Sequence, residues 1–158
     1  MKDNHLTKTK FSSLNINPLV IKGINDLNFK FCTPIQSESL PIALQGKDVA
    51  GQAQTGTGKT AAFLISAIQK IIENNSSVKE KKQPRIFILA PTRELAIQIA
   101  KDAEAIGRHT NLKIGLAYGG TDYEKQSSII TKGIDILIGT PGRVIDYYKN
   151  KIFKLHDI

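Results

Sequence analysis

Apolar residues recur along this chain with two periods, and the alternation between them outlines a fold. The stretch to about residue 17 is polar apart from Phe11, Leu14 and Ile16, so residues 1–17 read as an extended arm with a few anchoring side chains. Leu19, Ile21, Ile24 and Leu27 include i, i+3 spacings that predict a helix over residues 18–28. Thr33-Pro34 with Gln36 marks a second helix start: a capping threonine, a proline at the first helical position, and a glutamine able to reach back to the cap. Asp48-Val49-Ala50-Gly51 predicts a short buried strand, and Ala61, Leu64, Ile65, Ile68 and Ile72 predict a long helix after it. The charged stretch 73–84 predicts an exposed loop. Ile86-Phe87-Ile88-Leu89 predicts a buried strand over 85–90. Leu95, Ile99, Ala103 and Ile106 then line one face of a helix over 94–106, stopped by Gly107. A strand over 112–118 breaks at Gly119-Gly120, and Thr121 with Glu124 forms a capping box for a helix to about residue 131. A last strand over 135–138 leads to Thr140-Pro141, a cap and first residue of a final helix. This order implies an α/β fold, a parallel sheet with helices on both faces whose ligand edge lies at the carboxyl ends of the strands.

Composition adds bounds to that outline. With 158 residues and 41% hydrophobic content, the chain suits one domain with its own core. Basic residues exceed acidic ones by 22 − 14 = 8. Such a surplus favours a polyanionic partner, nucleic acid first, although it also serves solubility. Cys32 is the single cysteine, so no internal disulfide can form and a reducing compartment is expected. His5, His109 and His156 have no partners at ligand spacing, and a transition-metal site is not expected. The start lacks the apolar core of a signal peptide, and no apolar run reaches membrane-spanning length, so a cytoplasmic location is expected.

The chemistry concentrates in Ala53-Gln54-Thr55-Gly56-Thr57-Gly58-Lys59-Thr60. Glycines let backbone N–H groups converge on phosphate oxygens, and the helix that follows adds its positive end. Lys59 supplies a mobile charge for β- and γ-phosphates, and the Thr60 hydroxyl suits a Mg2+ ion held with them, so the stretch reads as an ATP-type triphosphate site. The other turns at strand carboxyl ends are Pro91-Thr92-Arg93-Glu94, Gly119-Gly120 and Thr140-Pro141-Gly142-Arg143, and in such a fold they share a rim with the phosphate loop. Each alone suits a structural cap; together, on a basic chain, they suit phosphate oxygens of a nucleic acid. Glu38, Asp102, Asp122 and Asp146 read as solvated helix positions without a catalytic role.

These residues resemble the first RecA-like domain of the DEAD-box RNA helicases. Residues 29–36 are similar to the family's Q motif, with Phe29 in the adenine-stacking place and Gln36 as adenine reader, capping being its possible second role; Cys32 stands where proline is commoner. Phe11 resembles the isolated upstream aromatic. Residues 53–60 match motif I, 91–96 motif Ia, Gly119-Gly120 the double-glycine motif, and 140–143 motif Ib. The resemblance implies that Phe29, Gln36 and Gln54 to Thr60 bind ATP with Mg2+ at Thr60, and that Lys59 and Thr60 serve phosphoryl transfer. Pro91, Thr92, Arg93, Gly119, Gly120, Thr140, Pro141, Gly142 and Arg143 would hold RNA. Residues 18–158 then form a partial first domain, because no Asp-Glu-Ala-Asp sequence is present to position the metal and the attacking water. The expectation is partial binding of ATP and RNA with little hydrolysis by this chain alone, and an unpaired sheet edge. The rivals are a non-catalytic nucleotide- or RNA-binding fragment and a P-loop ATPase acting on DNA. Within the family, residues 5–7, 48–52 and 116–120 look most like the bacterial degradosome-associated members, which implies an RNA-degradation scaffold as partner.

Overall fold

The structure is a computed structural model that describes residues 6–74 and 83–158. The loop expected over 73–84 lies largely outside the described residues. The chain divides into two compact units, one running to Asn74 and taking in Ala105–Thr110, the other comprising Asn75–Glu104 and Asn111–Ile158.

The first unit is helical: α1 (Pro18–Asp26), α2 (Pro34–Ala43) and α3 (Lys59–Glu73). Asn17 caps α1, its side chain accepting the Leu19 N–H at 2.9 Å, while its own N–H donates to Gln69 of α3 at 2.7 Å. On α3, Ala61, Ala62, Leu64, Ile65, Ile68 and Ile71 are buried. Ile71 rather than the expected Ile72 completes that face. The arm is held down: the Thr7 N–H donates to the Cys32 carbonyl and the Cys32 N–H to the Thr9 carbonyl, both at 2.8 Å. Phe11, in a 3-10 turn at Phe11–Ser13, is buried.

The strand expected over 48–51 does not form. Those residues are exposed and irregular, with Val49 43% exposed. A strand is held by ladder hydrogen bonds, and the described part of this unit holds no strand for it to pair with, only an isolated bridge between Lys10 and Phe31.

The second unit carries a parallel sheet of β1 (Ile86–Leu89), β2 (Ile114–Ala117) and β3 (Ile136–Gly139), in the order β1-β3-β2, with α4 (Arg93–Ile106), α5 (Tyr123–Thr131) and α6 (Pro141–Lys149). Central β3 is buried at every position. β1 was expected to be buried but is only half-buried, with Leu89 54% exposed, because it is flanked on one side only. Ala117, Ile130, Ile134, Leu137, Val144, Tyr147 and Phe153 form a core cluster. Asp135 staples the amino edge. One carboxylate oxygen accepts from Arg85 Nη2 at 2.6 Å ahead of β1, and the other accepts the Lys113 N–H at 2.9 Å ahead of β2. The opposite, carboxyl edge opens into the three turns.

α5 starts differently from expectation. Asp122, not Thr121, is its cap, accepting the Lys125 N–H at 3.0 Å; the helix begins at Tyr123, which puts Asp122 at the cap position, and the Thr121 hydroxyl bonds to Gln126 and to the Tyr118 carbonyl instead.

Candidate nucleotide and nucleic-acid sites

In the first unit, the phosphate loop turns through positive φ at Gly56 (80°) and Gly58 (91°), which only glycine adopts without strain. Open space surrounds the Cβ position of Gly56, whereas a Cβ on Gly58 would strike the Gln36 amide. Gly58 caps α3, so the first amides of that helix face the loop. Lys59 folds back on its own loop: Nζ donates to the carbonyls of Ala53 and, at 2.6 Å, Gln54, and the Thr57 hydroxyl donates to the Gln54 carbonyl at 2.7 Å.

Gln36 is 3% exposed, and its amide is oriented by two bonds. Oε1 accepts the Thr33 N–H at 2.9 Å, closing the capping box at the start of α2, and Nε2 donates to the Gly58 carbonyl at 3.1 Å. One N–H and one carbonyl lone pair remain, the pair an adenine edge requires. Phe29 is 42% exposed. Cys32, in the same segment, is fully buried, and burial pushes its thiol up to about 11. The open glycine loop, the helix amides and Lys59 suit a phosphate chain. The half-buried Thr60 hydroxyl suits Mg2+, and no cluster of three acidic, His or Cys side chains occurs among the described residues, so phosphate oxygens and water would complete that ion's shell.

The second unit gathers the remaining candidates on the carboxyl edge of its sheet. Thr92 caps α4, its hydroxyl accepting the Leu95 N–H at 3.3 Å, with Pro91, Thr92 and Arg93 exposed. Arg93 reaches the double-glycine turn: its Nη1 donates to the Gly120 carbonyl at 3.4 Å and its guanidinium lies 5.1 Å from the Tyr118 ring centroid. Gly119 and Gly120 are exposed. Thr140 starts α6 without a side-chain capping bond, so its hydroxyl remains available beside exposed Pro141 and Gly142. Arg143 is half-buried against Tyr123 and Tyr147, with Nη1 3.2 Å from both Gln126 Oε1 and the Tyr147 hydroxyl. Gln126 and Tyr118 were absent from the sequence-derived site. No motif in the sequence singled out Gln126, which lies one turn into α5.

Of the carboxylates read as solvated helix positions, Asp122 is exposed but is a cap, and Asp102 and Asp146 are half-buried. Asp146 accepts from Asn150 Nδ2 at 3.1 Å and, behind desolvation, helps to raise the Tyr123 phenol. Burial raises the Asp102 carboxyl above the usual range.

A parallel α/β sheet with three polar turns on its carboxyl edge, in a chain that also carries a glycine-rich phosphate-loop sequence, has the features of a P-loop α/β domain. The family model for DEAD/DEAH box helicases matches residues 33–158, and the chain belongs to that family. Over all 158 residues it is 53% identical to the ATP-dependent RNA helicase RhlB of Pseudoalteromonas atlantica, covering 37% of that protein. It is 54% identical to RhlB of Actinobacillus succinogenes and 52% identical to RhlB of Idiomarina loihiensis, each over the whole chain and covering 38% and 37% of them. The chain thus spans little more than a third of the relatives it matches. No helix among the described residues is long and apolar enough to cross a membrane.

Proposed function

We propose that this chain supplies the ATP-binding loop and part of the RNA-binding surface of an ATP-dependent RNA helicase, acting in the cytoplasm. The observation that carries the reading is the set of three turns on one sheet edge, each offering a helix start or a glycine-exposed backbone, with the exposed Arg93 side chain lying across the double-glycine turn and the Thr140 hydroxyl making no capping bond. Such groups grip phosphates and 2′-hydroxyls without reading bases, as a helicase that works on many RNAs requires.

In this reading Phe29 stacks on adenine and Gln36 reads its edge. Gln54 to Thr60 wrap the phosphates, Lys59 leaving the loop carbonyls for the β- and γ-phosphates while Thr60 holds Mg2+. Pro91, Thr92, Arg93, Gly119, Gly120, Thr140, Pro141, Gly142 and Arg143 form the RNA surface. The 158 residues contain no Asp-Glu-Ala-Asp sequence, so hydrolysis by this chain alone is expected to be negligible. An RNA-degradation scaffold, implied by sequence resemblance alone, is the protein partner we propose.

The test is ATP and ADP binding to the chain beside its Lys59→Ala and Gln36→Ala variants, with single-stranded RNA and DNA in competition. Losing a charged hydrogen-bond donor should weaken ATP binding by roughly ten- to a hundredfold in Lys59→Ala. Gln36→Ala should lose discrimination between ATP and GTP. Equal ATP affinity in Lys59→Ala would sink the nucleotide reading, and preference for DNA would favour the rival ATPase.

A further inference from the structure

Two of the three turns are joined by a residue that belongs to neither. Gln126 lies one turn into α5, half-buried. Its Oε1 accepts the Tyr118 N–H and Arg143 Nη1, both at 3.2 Å, and its Nε2 donates to the Thr121 hydroxyl at 2.7 Å. That hydroxyl in turn donates to the Tyr118 carbonyl at 3.5 Å. The amide orientation is dictated by its neighbours, because two donors converge on Oε1 and a flipped amide would set N–H against N–H. Tyr118, Gln126 and Thr121 therefore close a ring of hydrogen bonds around Gly119-Gly120, where Gly120 stands at φ 77°.

Two consecutive glycines are the most mobile backbone a turn can have, and ordering them on contact with a ligand costs affinity. A closed ring removes that freedom in advance. The burial of α5 is carried by Ser127 and Ile130, while the Gln126 amide bonds to the carboxyl-edge turns and to Arg143. Arg143 is held from its other side by the Tyr147 hydroxyl at 3.2 Å.

We infer that Gln126 is a positioning residue for RNA binding: it pre-orders the double-glycine turn and locks it to the Arg143 turn, so that both meet RNA as one surface. This rests on the proposed RNA reading of those turns. Three variants of the chain separate the possibilities: Gln126→Ala, Thr121→Val and Gln126→Glu, the last still able to accept from the Tyr118 N–H and Arg143. Each is measured by anisotropy with a labelled single-stranded RNA, by residue-resolved amide hydrogen exchange, by ADP binding and by thermal melting.

Gln126→Ala should weaken RNA binding about tenfold and speed exchange at Tyr118, with ADP affinity unchanged. Thr121→Val should weaken RNA binding in the same direction, and the double variant Gln126→Ala/Thr121→Val should be no worse than Gln126→Ala, since both open one ring. Gln126→Glu should restore Tyr118 protection, while its charge, set against Arg143, keeps RNA affinity below that of the wild type. Wild-type RNA affinity in both Gln126→Ala and Thr121→Val overturns the inference alone. A wild-type chain that binds ADP but no RNA overturns the RNA reading, and the role of Gln126 with it.

Discussion

Truncating Asp135 should unfasten the amino edge of the sheet, and the size of the effect follows from its partners. The side chains of Asp135 and Arg85 are 6% and 10% exposed, and the carboxylate also satisfies the backbone N–H of Lys113. Asp135→Ala leaves a guanidinium and an amide buried without that acceptor. A hydrogen bond to a charged group is worth about 1.5–3 kcal/mol, so losing the two that the carboxylate accepts should cost about 4 kcal/mol. Asp135→Asn keeps one acceptor and loses the charge, so about 1–3 kcal/mol is expected. All four tyrosines, Tyr118, Tyr123, Tyr147 and Tyr148, lie in the unit that holds the sheet and there is no tryptophan, so urea unfolding followed by tyrosine fluorescence reports this unit alone. At a slope of about 2 kcal/mol per molar urea, Asp135→Ala should lower the midpoint by roughly 2 M. Adding Arg85→Met to Asp135→Asn should cost less than the two changes summed. A midpoint shift under about 0.5 M for Asp135→Ala, or strict additivity in the double variant, would refute the reasoning.

Three further outcomes are expected. Gly58→Ala forces a side chain into a left-handed backbone and against the Gln36 amide, so it should cost at least about 1–2 kcal/mol and weaken nucleotide binding, read by a melt and an ADP titration. Tyr147→Phe removes a buried hydroxyl that donates to the Tyr123 carbonyl at 2.8 Å and accepts from Arg143. It should destabilise by about 1–3 kcal/mol in the same urea assay, and a neutral result would contradict the buried network. The Cys32 thiol is raised to about 11, so the folded state holds its proton more tightly than the unfolded one. Its contribution to stability is therefore complete below the ordinary thiol range and fades as pH rises through about 11. Alkylation at pH 9 should accordingly be slow in the native chain and fast in denaturant, and equal rates would contradict the burial.

The helices were legible because their signals are local. Thr33-Pro34-Ile35-Gln36 and Thr140-Pro141 announce helix starts within a few residues, and each starts a helix where expected, as does the apolar spacing from Leu19, which does not announce the Asn17 cap. Strands depend on partners that sequence periodicity does not name. Ile86 to Leu89 found β3 and became β1, while Asp48 to Gly51, equally strand-like by eye, found none. The phosphate-loop stretch and the three turns were visible as residue types at fixed offsets. What sequence could not reveal was which of them touch: that Arg93 reaches Gly120, that Gln36 reaches Gly58, or that Gln126 closes a ring with Tyr118. Asp122 replaced Thr121 as cap for a similar reason, since two good capping residues stood side by side and only the geometry chose between them.

Lys59 bound to its own loop carbonyls has a kinetic consequence. The ammonium has to leave those carbonyls to meet phosphate, so nucleotide binding is expected to include an unlatching step. If ligand enters only the unlatched form, the observed association rate should level off at high ATP concentration, at the rate of unlatching. Apparent affinity is then the intrinsic one scaled by the unlatched fraction. The Thr57 hydroxyl donates to the same Gln54 carbonyl, so removing it leaves that acceptor to Lys59 alone, should tighten the latch and should lower that plateau.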